Sequence, residues 1–226
     1  MNPAQPMNPA RPMNHLLAER AEVVSIARRM HTDGLVSGTS GNVSRRQGEL
    51  VAITPMGRDY GTMIAEDICV VDLEGRTVEG DLTPSTETPM HLAVYRAFDA
   101  GAVVHTHSLY ATVVSTIASE LPAIHYMIAI LGGPVRVSPY RLFGTHELSE
   151  AVVAAGAGRS AVIIGSHGAI TWGADLAEAY KRTVTLEWLS KLYCRAREVG
   201  TPRLLTDDEV AEVAQQLERT GYFGRP

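Results

Sequence analysis

Two short apolar blocks, residues 102–105 and 161–165, constrain this chain more than any other feature. Each is built from small and β-branched apolar residues and is too short for a stable helix. Each ends in histidine or glycine, which is the pattern of a buried β-strand. Helical spacing lies on both sides of the first block: residues 89–98 precede it, and Tyr110, Val113, Val114 and Ile117 follow at i, i+3, i+4 and i+7. The second block leads into a long helical stretch, 175–198, that stops at Gly200. Arg195 and Arg197 fall in its last turn, where cations favour the helix dipole. Strands set among helices give an α/β class with one sheet covered by helices. Periodicity alone leaves the direction of the strands open.

The remaining segments fit that class. Leu16, Leu17, Val23, Val24, Ala27 and Met30 recur at helical spacing up to Gly34. Between Gly34 and Asp81, short β segments such as 50–54 and 68–72 alternate with glycines. Thr206-Asp-Asp-Glu209 is a capping-box pattern opening a last helix, which Gly221 closes. Residues 1–14 hold a near-repeat, Met1-Asn-Pro-Ala-Gln-Pro and Met7-Asn-Pro-Ala-Arg-Pro, whose prolines oppose a helix; they read as a disordered extension before one domain, 15–226. With 226 residues, 45% of them apolar, the chain has material for one sizeable core.

A net charge of −5 argues against nucleic acid as a partner, because phosphate backbones are held by surplus Lys and Arg. A small anion remains possible, since backbone N–H groups and a helix N-terminus can hold one. No apolar run approaches the roughly 18 residues of a membrane helix, and the start lacks a basic region followed by an apolar stretch. Cys69 and Cys194 form no disulfide framework, so a cytoplasmic protein is expected.

The chemistry gathers at the ends of the two blocks. Residues two apart on a strand project to the same side, so His105 and His107 can reach one ion. His167 follows the second block between Gly165 and Gly168, and three histidines would leave one position of a zinc ion open for water or substrate. His-x-His on its own is common by chance. His15, His31, His91, His125 and His146 have no partner at close spacing and read as helix-surface or loop residues. Glu87 lies in Pro84-Ser-Thr-Glu-Thr-Pro-Met90, a loop entering a helix. Taken by itself it reads first as a first-turn acid that favours the dipole without any chemistry, and second as a ligand or base beside the metal. Ser37-Gly-Thr-Ser-Gly-Asn42, Thr54-Pro-Met-Gly57 and Ser85-Thr86 all carry anion-holding groups, although each alone is ordinary turn chemistry.

Six segments occur in order: Gly38-Thr-Ser-Gly-Asn-Val-Ser44, Ile53-Thr-Pro-Met-Gly57, Pro84-Ser-Thr-Glu87, Val103-Val-His-Thr-His107, Leu121-Pro-Ala-Ile-His-Tyr-Met-Ile128 and Phe143-Gly-Thr-His-Glu-Leu-Ser149. Together they resemble the class II aldolase/adducin family, nearest its fuculose-phosphate aldolase branch, over nearly the whole chain after the Pro-rich start. The resemblance implies a three-layer α/β/α domain with a mostly antiparallel central sheet. It implies that His105, His107 and His167 hold zinc, and that Glu87 alternates between binding the metal and acting as acid/base. Gly41, Asn42, Thr54, Gly57, Ser85 and Thr86 would surround a substrate phosphate. Tyr126 would reach a neighbouring subunit's site in a C4 homotetramer, and Tyr222 would close over the substrate. The implied reaction is cleavage of L-fuculose 1-phosphate to dihydroxyacetone phosphate and L-lactaldehyde.

Departures from the branch widen the choice. Ser85-Thr86 stands where its members often carry two serines, and Ser166 stands where some relatives have another histidine. Ser166-His-Gly-Ala-Ile-Thr-Trp-Gly173 is also similar to the family's ribulose-phosphate 4-epimerases. 5-Deoxyribulose 1-phosphate and methylthioribulose 1-phosphate share the phosphate and metal-binding head, and an apolar pocket separates such tails by only ~1–3 kcal/mol per methylene. A non-catalytic adducin-like interaction domain would have no need of Glu87 and all three histidines.

Overall fold

The computed structural model describes residues 15–221. The expected extension 1–14 and Tyr222 lie outside the described residues. Helix α1 (Leu17–Thr32) buries Val23, Val24, Ile26, Ala27 and Met30. A meander follows: β1 (Asn42–Gln47), β2 (Leu50–Ile53), β3 (Cys69–Asp72) and β4 (Thr77–Glu79). Then come α2 (Thr88–Ala97), β5 (Ala102–Thr106), α3 (Leu109–Ile117), β6 (Glu120–Leu121), a 3-10 turn (Tyr126–Leu131) and β7 (Val135–Ser138). The chain ends in α4 (His146–Gly156), β8 (Ala161–Ile164), β9 (Gly168–Gly173), α5 (Leu176–Val199) and α6 (Asp207–Thr220). Thr206 and Glu209 make both hydrogen bonds of the expected capping box.

The strands form one nine-stranded sheet in the order β4-β3-β2-β1-β5-β9-β8-β7-β6. Neighbours run antiparallel except β7 and β8, which are parallel. Side chains alternate across the central strands. Val103 of β5 packs in one core with α2 and α4, while Ala102 and Val104 face α1 and the start of α5. Val162 and Ile164 of β8 share the α2–α4 side, and Ala161 and Ile163 meet α3 and the rest of α5. Helices therefore cover both faces. That is why the two blocks are apolar at successive positions: neither face of either strand meets water.

Strand β1 has no apolar pattern, and its place comes from antiparallel pairing with β2 on one edge and β5 on the other. Its buried polar residues Asn42 and Ser44 are two apart and share a face. Arg20 of α1 is fully buried and ties the helix to the sheet, donating to the Ile68 carbonyl at 2.9 Å and to Glu79 of β4 at 2.6 Å. Cys69 and Cys194 are free and buried. Among the described residues, no helix is long and apolar enough to cross a membrane.

Candidate metal centre

The order β1-β5-β9 places three strand ends side by side at one end of the central strands of the sheet. In register, Asn42 of β1 pairs with His105 of β5, and His105 with Ile170 of β9. His107 lies just past the end of β5. The sequence places His167 at the end of a strand, but β8 stops at Ile164 and His167 sits in the tight turn before β9. In that turn Ser166 has φ +51°, a left-handed conformation costing a non-glycine residue about 1–2 kcal/mol. Its N–H donates to Ser115 Oγ at 3.0 Å. Gly168 makes the approach of the turn possible: a Cβ there would stand 2.2 Å from the Thr106 carbonyl oxygen and 3.2 Å from the His107 Cα.

Glu87 is the N-cap residue of α2, but its side chain makes no capping hydrogen bond. It turns inward, with Oε2 3.0 Å from His105 Nε2 and Oε1 3.3 Å from His167 Nε2. The sequence leaves Glu87 open between capping and chemistry, and the side chain points to chemistry. His107 Nε2 lies 3.0 Å from His105 Nε2 and 3.1 Å from His167 Nε2. The three rings meet edge to face, at 71°, 78° and 82°. All four candidate ligand atoms fall within 4.8 Å of one another.

These residues suit a divalent cation. His105 Nδ1 is 2.9 Å from the Ala169 carbonyl. A carbonyl only accepts, so Nδ1 carries a proton and Nε2 is the nitrogen left to face an ion at the centre. Nitrogens held about 2.0–2.1 Å from one ion at tetrahedral angles stand about 3.3 Å apart, close to the spacing here. The buried Glu87 Oε1 accepts no hydrogen bond, a lone pair that a cation would satisfy. Burial alone would raise the Glu87 carboxyl, but His105, the Asn42 hydrogen bond and His167 outweigh it and hold it well below the usual carboxylate range. Burial and then His105 push both His107 and His167 down to about 4. Neutral imidazoles beside an ionised carboxylate are the protonation state a metal requires.

A cavity of about 410 Å³ opens from the centre. Gly41, Asn42, Gly57, Ser85, Thr86, Glu87, His107 and His167 line it, so the loops singled out in the sequence do converge. Gly41 has φ +76°, and a Cβ there would meet the His105 carbonyl oxygen at 2.7 Å, so only glycine brings this loop against β5. Thr54 does not join the lining: it is fully buried, and its Oγ1 accepts the Val43 N–H at 3.2 Å. Both ends of the Asn42 amide are engaged, Nδ2 donating to Glu87 Oε2 at 2.9 Å and Oδ1 facing His91 Nε2 at 2.5 Å. Tyr126 opens the 3-10 turn, is 53% exposed and leans on His125, away from the cavity lining of its own chain.

His91 departs from the sequence reading. It is fully buried, not on a helix surface, because the face of α2 that carries it packs against β1. The cavity also gains Tyr140, Arg141, Phe143 and Ser166. The first three belong to the loop between β7 and α4, which Gly144 brings against the Thr86 carbonyl. Phe143 opens the last of the six ordered segments, whereas Tyr140 and Arg141 lie in an exposed, aperiodic stretch that gives no sequence signal. Among the described residues, Arg141 is the only Lys or Arg in the lining.

Residues 21–194 match the family described as "Class II Aldolase and Adducin N-terminal domain". The chain belongs to the class II aldolase/adducin family. It is 39% identical over 210 residues to 5-deoxy-D-ribulose 1-phosphate aldolase of Bacillus thuringiensis serovar kurstaki, covering 91% of this chain and 98% of the relative. It is 37% identical to 5-methylthioribulose-1-phosphate/5-deoxyribulose-1-phosphate aldolase of Rhodospirillum rubrum, covering 91% of this chain and 93% of that one. A solved structure of L-fuculose 1-phosphate aldolase superposes with a TM-score of 0.86 at 36% identity, over 89% of this chain and 96% of that one.

Proposed function

We propose that this protein is a zinc-dependent aldolase that splits a ketose 1-phosphate into dihydroxyacetone phosphate and a short aldehyde. The observation that carries the reading is the placement of the buried, ionised Glu87 between His105 and His167 at the mouth of an anion-ready cavity. His105, His107 and His167 would hold the ion, with Glu87 as the ligand that substrate displaces. Three imidazoles with one exchangeable oxygen ligand suit zinc. When bound, the ion supplies a Lewis acid that polarises the ketone and stabilises the negative charge left as C3–C4 breaks. Loss of the C4 hydroxyl proton, assisted by Tyr126 from a neighbouring subunit, would turn C4 into the aldehyde as C3–C4 breaks, and Glu87 would return a proton to C3. The Ser85 Oγ accepts the Glu87 N–H at 3.2 Å, which fixes the turn that presents the carboxylate. Gly41, Gly57, Ser85 and Thr86 surround the phosphate, with Thr54 supporting them from behind.

The sequence puts L-fuculose 1-phosphate first, and the identity to 5-deoxyribulose-phosphate aldolases supports the five-carbon ketose equally. Its products would be dihydroxyacetone phosphate and acetaldehyde, in place of L-lactaldehyde. Tyr126 would act in the site of a neighbouring subunit of a homotetramer, a reading supported by the exposed Leu109, Tyr126, Val184 and Trp188.

The test incubates zinc-loaded protein with L-fuculose 1-phosphate, 5-deoxyribulose 1-phosphate and L-ribulose 5-phosphate, and follows dihydroxyacetone phosphate release beside a Glu87→Gln control. Zinc-dependent release that the control loses by about 10²–10⁴-fold is expected. Epimerisation of L-ribulose 5-phosphate with no release from either 1-phosphate would overturn the reading.

A further inference from the structure

The inward face of α2 carries Glu87, His91 and Tyr95 at i, i+4 and i+8, and it packs on the face of β1 that carries Asn42 and Ser44. All five side chains are buried. They form one unbroken hydrogen-bonded line: Tyr95 OH to Ser44 Oγ at 2.7 Å, Ser44 Oγ to His91 Nδ1 at 2.7 Å, His91 Nε2 to Asn42 Oδ1 at 2.5 Å, and Asn42 Nδ2 to Glu87 Oε2 at 2.9 Å.

We propose that His91 is a positioning residue, which fixes the Glu87 carboxylate over the metal centre by locking the orientation of the Asn42 amide.

The direction of every bond follows from the carboxylate at one end. Ionised Glu87 only accepts, so Asn42 must turn Nδ2 towards it and Oδ1 away. Oδ1 also only accepts, so His91 must carry its proton on Nε2. Nδ1 then presents a lone pair that the Ser44 hydroxyl fills, and the Ser44 oxygen is left to accept the Tyr95 hydroxyl. Reversing one bond would set Asn42 Oδ1 against a carboxylate oxygen at hydrogen-bond distance inside the protein, where like partial charges repel strongly. Burial, and then His105, push His91 down to about 3, so its ring stays neutral and can have one donor and one acceptor nitrogen. The chain thus defines where Oε2 sits and leaves Oε1, the oxygen with no donor, as the one free for a cation.

The proposal rests on the reading of Glu87 as metal ligand and proton carrier, so its test includes a readout that needs no turnover. Cobalt(II) is titrated into metal-free protein, and the visible absorption of the bound ion gives the affinity. The set is the parent, His91→Leu, Asn42→Ala and the double variant, each checked for an unchanged cooperative melt. Asn42→Ala should weaken binding about 10–100-fold, as removal of partners behind metal ligands does, and His91→Leu about tenfold. The double variant should be no weaker than Asn42→Ala by more than about twofold, because His91 acts only through Asn42. In cleavage assays His91→Leu should lower kcat and leave KM near the parent value. Losses that multiply in the double variant, or parent-like cobalt affinity in His91→Leu, would overturn the proposal. If His91→Leu does not fold, Ser44→Ala removes only one hydroxyl and completes the same cycle, with the same two outcomes. Failure of every ketose phosphate to react would sink the aldolase reading and leave the cobalt cycle intact.

Discussion

Gly168→Ala isolates the contact that brings the third histidine into the centre. Gly168 does not occupy the left-handed region, so backbone freedom is not the reason for glycine here. The reason is space: the new Cβ would lie 2.2 Å from the Thr106 carbonyl oxygen and 3.2 Å from His107 Cδ2, where about 3.0 Å is the floor for real Cβ contacts. Thr106 is held in β5 by pairing with Ala169, so the turn that carries His167 must retreat by most of an ångström. Such overpacking costs about 1–3 kcal/mol. A comparable misplacement of a reacting group costs on the order of 10²-fold in turnover. Gly158→Ala is the matched control: its φ of +68° also makes alanine strained, at about 1–2 kcal/mol, but a Cβ there meets nothing within 4 Å. Urea melts should show both variants destabilised, and divalent-ion titration and turnover should show only Gly168→Ala impaired. Parent-like ion affinity in a destabilised Gly168→Ala would refute the claim that the Thr106 contact sets the position of His167.

Acid should undo the metal-free fold early. His91 at about 3 and His107 and His167 at about 4 take up protons in the unfolded chain near 6.5 but not in the folded one, so stability is full above about 6.5 and falls as pH drops towards 4. Glu87, held low, acts in the same direction below the usual carboxylate range. With three histidines involved, the slope approaches about 4 kcal/mol per pH unit at its steepest, and a urea midpoint that stays flat from about pH 7 to 5 would contradict it. Arg141→Ala should raise KM for a ketose 1-phosphate about tenfold, the loss of one charge-assisted hydrogen bond, with kcat little changed. An unchanged KM would place Arg141 outside the phosphate's reach.

The legible parts of this site are those fixed by local spacing. His105 and His107 declare themselves because a strand puts alternate residues on one side, and His167 because a second apolar block ends beside it. Glu87 is ambiguous in the sequence because a carboxylate in a first helical turn has a structural use of its own; the absence of a capping bond and the turn towards His105 are visible only in the fold. His91 was hidden for another reason. A histidine within an amphipathic helix gives no sign of its depth until β1 is known to pack there. Strand β1 itself carries Arg45, Arg46 and Gln47, and its single apolar residue, Val43, is too little to mark it as interior. Arg141 was beyond reach because an exposed loop takes its position from the fold, not from periodicity.

The crowding of ring nitrogens beside Glu87 also bears on how such a scaffold can change over time. The four groups stand at one end of the central strands, outside the three apolar clusters that hold the layers together. Without an ion they oblige buried imidazoles to stay neutral and leave a carboxylate oxygen without a donor. Replacing one of the histidines therefore lifts a burden from the fold, as expected where activity and stability pull in opposite directions. Lineages released from the need to catalyse can shed this chemistry by substitution of a histidine and keep the sheet and its helices as a surface for other uses. Its persistence in a chain marks continued selection on the reaction.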